Sequence, residues 1–159
     1  MIERTIVGPA ELADQAVDEL VGLLVAGKEV SGPNLRQKLL LCSQLVVEWR
    51  GGRPIGLAAV KSPVQSYRRK TAVRAGVGQT ILPVVELGYV VVDESYRGHG
   101  IGPALLQMAA GVVDGEAFAT SRSHTIQQTL LSIGFGQHGS PFVTDAKKPP
   151  LRLYVRVAT

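Results

Sequence analysis

The sequence has 159 residues, of which 45% are hydrophobic and 19% charged, with a formal net charge of +4. This size suits one globular domain, and the composition excludes a disordered chain or a coiled coil. The sequence has no apolar run of the roughly 18 residues that a membrane helix requires. Its first twelve residues contain two acids and lack the basic-then-apolar order of a signal peptide, so we expect none. We therefore expect one cytoplasmic domain over residues 1–159.

The first part of the chain predicts a strand, two helices and two further strands. They cover residues 2–7, 9–28, 34–41, 44–49 and 54–60. The first helix is indicated by apolar residues at spacings of three and four, and Asn34 is the expected cap of the second. Gly51-Gly52 predicts a tight hairpin between the two later strands. Residues 61–83 predict a basic loop, because glycine and proline interrupt them.

The second part predicts a strand, a helix, a strand, a helix and a last strand. They cover residues 84–92, 101–113, 117–120, 123–132 and 151–157. The whole order is β-α-α-β-β-β-α-β-α-β, which mixes hairpins with crossover helices. Such an order favours an α/β fold around one central mixed sheet.

Positive charge is concentrated in residues 50–85, which we call the basic segment. It contains seven Lys and Arg residues and no Asp or Glu. A local positive field of this kind attracts phosphates, nucleic acid or acidic protein. The alternative is a solvated loop whose like charges keep it soluble.

A glycine-rich turn joins the strand that ends at Val92 to the following helix. Its sequence is Arg97-Gly98-His99-Gly100-Ile101-Gly102. Glycines let the backbone approach a ligand closely, and the start of the helix adds N–H donors and a positive dipole end. The spacing matches neither the nucleotide-hydrolase loop nor the dinucleotide fingerprint. The turn therefore predicts a diphosphate site of another kind, with an ordinary strand–helix turn as the alternative.

Residues 97–102 resemble the acyl-CoA loop of the GNAT superfamily of N-acetyltransferases, whose pattern is Q/R-x-x-G-x-G/A. Residues 95–98 (Ser-Tyr-Arg-Gly) resemble the usual lead-in, and residues 131–135 (Leu-Ser-Ile-Gly-Phe) resemble a second family motif. The resemblance implies a GNAT-like fold, with a mixed sheet of about six to seven strands and about four helices. It also implies acetyl-CoA as the co-substrate and an amine as the acceptor.

The resemblance assigns most of the cofactor contacts to the backbone. The strand end, Val90, Val91 and Val92, would hold the acetyl carbonyl and the pantetheine arm, and the same donors would stabilise an oxyanion. The turn residues would hold the pyrophosphate; they are Arg97, Gly98, His99, Gly100, Ile101 and Gly102. Ser123 stands where many relatives have an asparagine that bonds to the pantetheine arm.

Glu86 is the candidate general base. It lies four residues before Val90, so strand alternation places it on the same face as Val90 and Val92. Its position resembles that of the general-base glutamate in the histone-acetyltransferase branch of the superfamily. The alternative is a carboxylate paired with an arginine of the basic segment.

The chain departs from the family at the general acid. Many relatives have a tyrosine four residues before the glycine of the Gly-Phe pair, and here that residue is Leu130. A coenzyme A thiolate is a good leaving group, so this loss lowers the rate without forbidding the reaction. The single cysteine, Cys42, is expected to be a buried thiol, and no metal site is expected because the histidines have no ligand-spaced partners.

Three functions stay open. The leading one is an acetyl-CoA-dependent N-acetyltransferase acting on a primary amine by direct attack through a tetrahedral intermediate. The second is a non-catalytic acyl-CoA-binding module, suggested by Leu130. The third is an acetyltransferase of charged tRNA or other RNA, suggested by the basic segment, in which Tyr67 would stack on a base. A homodimer is compatible with the exposed alternation of residues 151–157.

Overall fold

The computed structural model describes residues 2–28 and 32–158. The helices within these residues are α1 (Asp14–Gly27), α2 (Leu35–Leu40), α3 (Gln65–Arg74), α4 (Ile101–Val112) and α5 (His124–Ser132). The strands are β1 (Ile2–Val7), β2 (Gln44–Arg50), β3 (Arg53–Lys61), β4 (Glu86–Val92), β5 (Ala117–Ser121), β6 (Gly136–Phe142) and β7 (Leu151–Arg156). Short 3-10 turns precede α1 and α4, at Pro9–Glu11 and Glu94–Tyr96.

The strands form one mixed sheet in the order β1-β2-β3-β4-β5-β7-β6. The pairs β1–β2, β2–β3, β5–β7 and β6–β7 are antiparallel, whereas β4 and β5 run parallel, with Glu86 beside Phe118. The parallel pair requires a crossover, and α4 supplies it along the chain. The predicted α/β fold with a mixed sheet of six to seven strands is therefore confirmed.

Two compact units make up the described chain, and the first contains the residues up to Lys61 together with Gly88–Val112. Its core is formed where α1 and α2 cover β2 and β3, with Leu20, Leu39 and Leu57 fully buried. Cys42 belongs to this core and is 6% exposed, as predicted. On β3, Gly56 leaves room for α4, because a Cβ there would lie 2.9 Å from Leu105 Cδ1.

The second unit contains Ser62–Leu87 and the residues from Val113 onwards. Its core joins α3 to β5 and β7 through buried apolar side chains, namely Ala72, Ala75, Leu82, Phe118, Leu153 and Val155. The chain of α3 is also fixed at its end, because Ser140 N donates to Ala75 O at 2.8 Å. Tyr67 on α3 and Glu86 at the start of β4 both belong to this unit, and they are joined by a hydrogen bond.

Several sequence predictions are wrong in detail. The basic loop predicted over residues 61–83 contains α3, and β6 was not predicted at all. Asn34 precedes α2 as expected, but it has a positive φ of 67° and its side chain makes no cap hydrogen bond. The last strand does not present an open edge, because β7 lies between β5 and β6. The Gly51-Gly52 hairpin is confirmed, with φ values of 58° and 79°.

Candidate functional site

Strand β4 has an irregular backbone at Tyr89, in its middle. This residue has a φ of 52°, which is uncommon for a residue with a side chain and marks a local irregularity of the strand. Both Tyr89 and the preceding glycine approach Lys61: its Nζ lies 4.1 Å from the Tyr89 ring centroid and 3.3 Å from a Cβ built on Gly88. The prediction that Glu86 and Val90 share one face rests on strict alternation, and strict alternation ends at Tyr89.

The turn after β4 is held by its own side chains. Asp93 Oδ1 accepts a hydrogen bond from Ser95 N at 2.9 Å, and Arg97 Nε donates to Val92 O at 3.0 Å. The predicted role of Arg97 therefore needs refinement, because one of its donors is used within the turn. The carbonyl of Val92, which the resemblance assigns to the cofactor, is the acceptor of that bond.

Two glycines of the turn adopt the left-handed conformation that glycine adopts at least cost. Gly98 has a φ of 83° and Gly100 a φ of 75°, and a Cβ at either position would meet nothing within 4 Å. The space outside both residues is therefore open. Glycine is favoured at these two positions because of the positive φ and because a ligand can approach a backbone without Cβ atoms. A clash with a neighbouring side chain is not the reason.

Helix α4 begins directly after the turn. Ala104 N donates to Gly100 O at 3.2 Å, so Gly100 is the cap residue. The first N–H groups of an α-helix have no acceptor within the helix; in α4 these include the N–H groups of Ile101 and Gly102, whereas Pro103 has no N–H. His99 is exposed and Ile101 is buried. The start of α4 therefore offers backbone donors and the positive end of a helix dipole, which stabilise an anionic group.

The lead-in to the turn rests on a buried ion-pair network of the first unit. Glu48 on β2 is 1% exposed and pairs with Arg4, and its second oxygen lies 3.9 Å from Arg50. The guanidinium of Arg50 lies 4.9 Å from the ring centroid of Tyr96, in the 3-10 turn that precedes Arg97. A carboxylate buried in this way orients Arg50, and Arg50 in turn supports Tyr96.

Glu86 opens β4 and is 2% exposed. The hydroxyl of Tyr67, on α3, donates to Glu86 Oε2 at 3.1 Å. Tyr67 is itself placed by the helix, since Thr71 Oγ1 donates to Tyr67 O one turn away at 3.0 Å. The sequence does not predict the contact between Tyr67 and Glu86, because the pattern of residues 61–83 favours a loop. The two residues can be paired only once α3 is known to be a helix.

The remaining predicted contact residue, Ser123, caps helix α5. Its Oγ accepts from Ile126 N at 3.3 Å, and its own N–H donates to Ser121 Oγ at 3.1 Å. A hydroxyl has one donor and two acceptor lone pairs, so the donor and one lone pair stay available for the predicted bond to the pantetheine arm. Leu130 is fully buried, at 0% exposure.

Other chemistry was also sought among the described residues. Within residues 2–28 and 32–158, no group of His, Cys, Asp and Glu side chains could hold a metal ion. In the same part of the chain, no helix has both the length and the apolar character needed to cross a membrane.

Known proteins resemble this chain in sequence profile and in fold. The profile of the acetyltransferase (GNAT) family matches residues 17–135. The fold is similar to Escherichia coli ElaA, with a TM-score of 0.73, 18% identity and coverage of 98% of this chain and 99% of ElaA. It is also similar to an acyl-CoA N-acyltransferase from Pseudomonas aeruginosa, with a TM-score of 0.70, 18% identity and coverage of 99% and 100%.

A third similar structure is the NatC complex bound to Gag peptide and CoA, with a TM-score of 0.66 and 16% identity. The similarity covers 99% of this chain and 99% of the chain in that structure. At these identities the structural likeness establishes the fold alone. No curated protein matches the sequence.

Proposed function

The chain belongs to the acetyltransferase (GNAT) family, and from this premise we propose that it transfers an acetyl group from acetyl-CoA to a primary amine. The observation that carries this proposal is the glycine turn, where left-handed Gly98 and Gly100 lead directly into the backbone donors at the start of α4. A diphosphate is the part of acetyl-CoA that suits such a group of donors.

The residues of the turn fit the proposed co-substrate. The left-handed backbone at Gly98 and Gly100, together with the open space around them, allows a diphosphate to contact the main chain. Arg97 adds a positive charge through the guanidinium nitrogens that do not bond Val92. Residues 90–92 are half-buried, and we assign their remaining backbone groups to the pantetheine arm and the thioester.

Glu86 is proposed as the proton acceptor. As the amine nitrogen forms its bond to the thioester carbonyl carbon, the C=O π pair moves to the oxygen, and the proton of the resulting ammonium nitrogen passes to the Glu86 carboxylate, directly or through water. The C=O bond then re-forms, the C–S bond breaks, and its electron pair leaves with the coenzyme A sulfur. Tyr67 orients the carboxylate by its hydrogen bond to Oε2, and the other carboxylate oxygen can receive the proton.

Leu130 is fully buried and, unlike the tyrosine of many relatives, has no proton to donate. We therefore propose that the sulfur leaves as a thiolate. The same observation supports a second candidate function, a non-catalytic acyl-CoA-binding module. The two functions differ in one measurable respect, which is acetyl transfer.

The experiment is a turnover screen with acetyl-CoA against amino acids, polyamines, aminoglycosides, peptides and charged tRNA, with release of the free thiol as the readout. The matched variant is Glu86→Gln, which keeps the shape of the side chain. We expect it to bind acetyl-CoA like the wild type and to lose at least 100-fold in kcat, within the usual range for general-base catalysis. Acetyl-CoA binding without transfer to any amine supports the binding module.

A further inference from the structure

The basic side chains of the basic segment fall into two groups. One group makes ion pairs, cation–π contacts or hydrogen bonds with other residues, and the other is exposed on α3. Four of the seven basic side chains make such contacts. They are Arg50 with Glu48 and Tyr96, Arg53 with Glu19, Lys61 with Tyr89, and Arg68 with the carbonyl of Leu82. The other three are Arg69, Lys70 and Arg74, all exposed on α3. Among the described residues, these three form no ion pair.

The three cations share one face of α3. This face, which we call the basic face, borders an open groove of about 650 Å³ and consists of Gln65, Ser66, Arg69, Lys70, Val73 and Arg74. The opposite face carries the buried Thr71 and Ala72. Like charges four residues apart, such as Lys70 and Arg74, destabilise an isolated helix. A bound anion relieves this repulsion.

The basic face lies on the helix that contacts the proposed base. Tyr67, between Ser66 and Arg69 in the sequence, donates to Glu86. A molecule that lies along α3 therefore contacts the same helix that carries Tyr67, the hydrogen-bond partner of the proposed base. From this arrangement we infer that the basic face binds the acceptor, and that the acceptor is the free amino terminus of a polypeptide with acidic residues close behind it. This inference rests on the proposed acetyl transfer.

The dimensions of α3 favour a polypeptide over a small anion. Ten helical residues extend over about 15 Å, which corresponds to four or five residues of extended peptide. A small molecule with one carboxylate cannot engage cations on successive turns. Asp and Glu side chains on alternate residues of an extended chain have a spacing of about 7 Å, close to the rise between Arg69 and Arg74.

The surroundings of the cations favour a peptide over RNA. Val73 on the basic face and Val64 just before it are 60% and 69% exposed, and they suit apolar peptide side chains. The hydroxyl of Tyr67, the aromatic residue expected to stack on a base, is bonded to Glu86. Arg68 is bonded to the carbonyl of Leu82. The hydroxyl of Tyr67 and the guanidinium of Arg68 are therefore both engaged within the protein.

The test compares two short peptides with free amino termini. One carries four consecutive Asp and Glu residues after the first residue, and the other carries Asn and Gln at the same positions. An exposed ion pair changes an equilibrium by about two- to fivefold, so three pairs give about tenfold or more. We expect kcat/KM for the acidic peptide to exceed that for the neutral peptide by this factor. The triple variant R69Q/K70Q/R74Q should lose the difference, mainly through KM.

The control variant is Lys147→Gln, which removes an exposed positive charge in the segment between β6 and β7. It should keep the preference, and circular dichroism and acetyl-CoA affinity should be unchanged in both variants. Equal kcat/KM for the two peptides, or a preference that survives in the triple variant, overturns the inference. So does a single-stranded RNA that binds more tightly than the acidic peptide and depends on the same three residues.

Binding of the labelled acidic peptide, measured by fluorescence anisotropy, separates the two claims. If the peptide binds through Arg69, Lys70 and Arg74 but is never acetylated, the peptide surface stands and the proposed transfer fails. If acetyl transfer to neutral amines proceeds while the acidic peptide neither binds nor reacts faster, the transfer stands and the peptide surface fails.

Discussion

Replacing Gly100 with alanine tests the role of the turn by adding a single methyl group. Gly100 has a φ of 75°, and a Cβ there would meet nothing within 4 Å, so the substitution adds no clash within the protein. A residue with a Cβ in this conformation costs about 1–2 kcal/mol. Because 1.4 kcal/mol corresponds to a factor of ten, this strain is worth about 5- to 30-fold in an equilibrium constant.

The strain appears in one of two measurements. If the free variant keeps the left-handed turn, its free energy of unfolding falls by about 1–2 kcal/mol. If the turn relaxes instead, acetyl-CoA must restore it, and the Kd for acetyl-CoA rises by up to about 30-fold. Urea denaturation measures the loss of free energy of unfolding, and calorimetric titration measures the rise in Kd for acetyl-CoA. Applied to the same preparation, the two measurements together report the strain. The new methyl group also lies on the open side of the turn, which adds to the rise in Kd.

Gly111 provides the matched control on the same helix. It lies near the end of α4, has no positive φ and has open space around it. The variant Gly111→Ala should therefore be more stable by up to about 1 kcal/mol, with an unchanged Kd for acetyl-CoA. If Gly100→Ala matches the wild type in both stability and Kd, the left-handed turn is not required and the reasoning is refuted.

Three further substitutions test separate parts of the account. Tyr67→Phe removes a hydrogen bond to the Glu86 carboxylate, and since such bonds contribute about 1.5–3 kcal/mol, we expect kcat to fall about tenfold at unchanged Kd for acetyl-CoA; an unchanged kcat shows that Tyr67 does not orient the base. Leu130→Ala opens a cavity at a fully buried site, so urea denaturation should show a loss of about 2–5 kcal/mol, and a loss below 1 kcal/mol contradicts the packing described. Burial raises the pKa of Tyr154 above its ordinary value of 10.0, against an opposing effect of Arg152. The unfolded state therefore ionises first, and the free energy of unfolding should fall as the pH rises above about 10 and level off beyond the folded pKa. Tyr154→Phe should lack this component of the slope, and identical alkaline slopes for the two proteins contradict it.

The elements with regular patterns could be predicted from the sequence. Helices α1 and α4 have apolar residues at helical spacing, and the strands at residues 44–60 are joined by two glycines with positive φ. The glycine turn was found for the same reason, because its residue types dictate its backbone. Local chemistry determines each of these features.

Helix α3 could not be predicted because its sequence is mostly polar and basic. It has only two buried residues, Thr71 and Ala72, so no apolar stripe marks it. Its stability comes from packing against Phe118 and Leu153, which lie far away in the sequence. Strand β6 contains glycine, serine and proline and shows a register shift between His138 and Phe142, so it has no alternation to detect.

The candidate site was predicted in its backbone part and missed in its side-chain part. The contact of Tyr67 with Glu86 depends on α3, and the irregularity at Tyr89 depends on the conformation of a single residue in a β-branched strand. Ser123 was assigned to the cofactor by its position alone, whereas the structure also gives its oxygen a cap bond to Ile126 N. Roles that depend on long-range contacts are not visible in a local pattern.

The central claim is that the glycine turn binds a diphosphate, and its most direct test is a pair of calorimetric titrations of the wild-type protein. Acetyl-CoA carries the diphosphate, and acetyl-pantetheine carries the same thioester arm without it. Because each hydrogen bond to a charged group contributes about 1.5–3 kcal/mol, we expect acetyl-CoA to bind at least 100-fold more tightly. Equal affinities, or no binding of acetyl-CoA by folded protein at millimolar concentration, contradict the account.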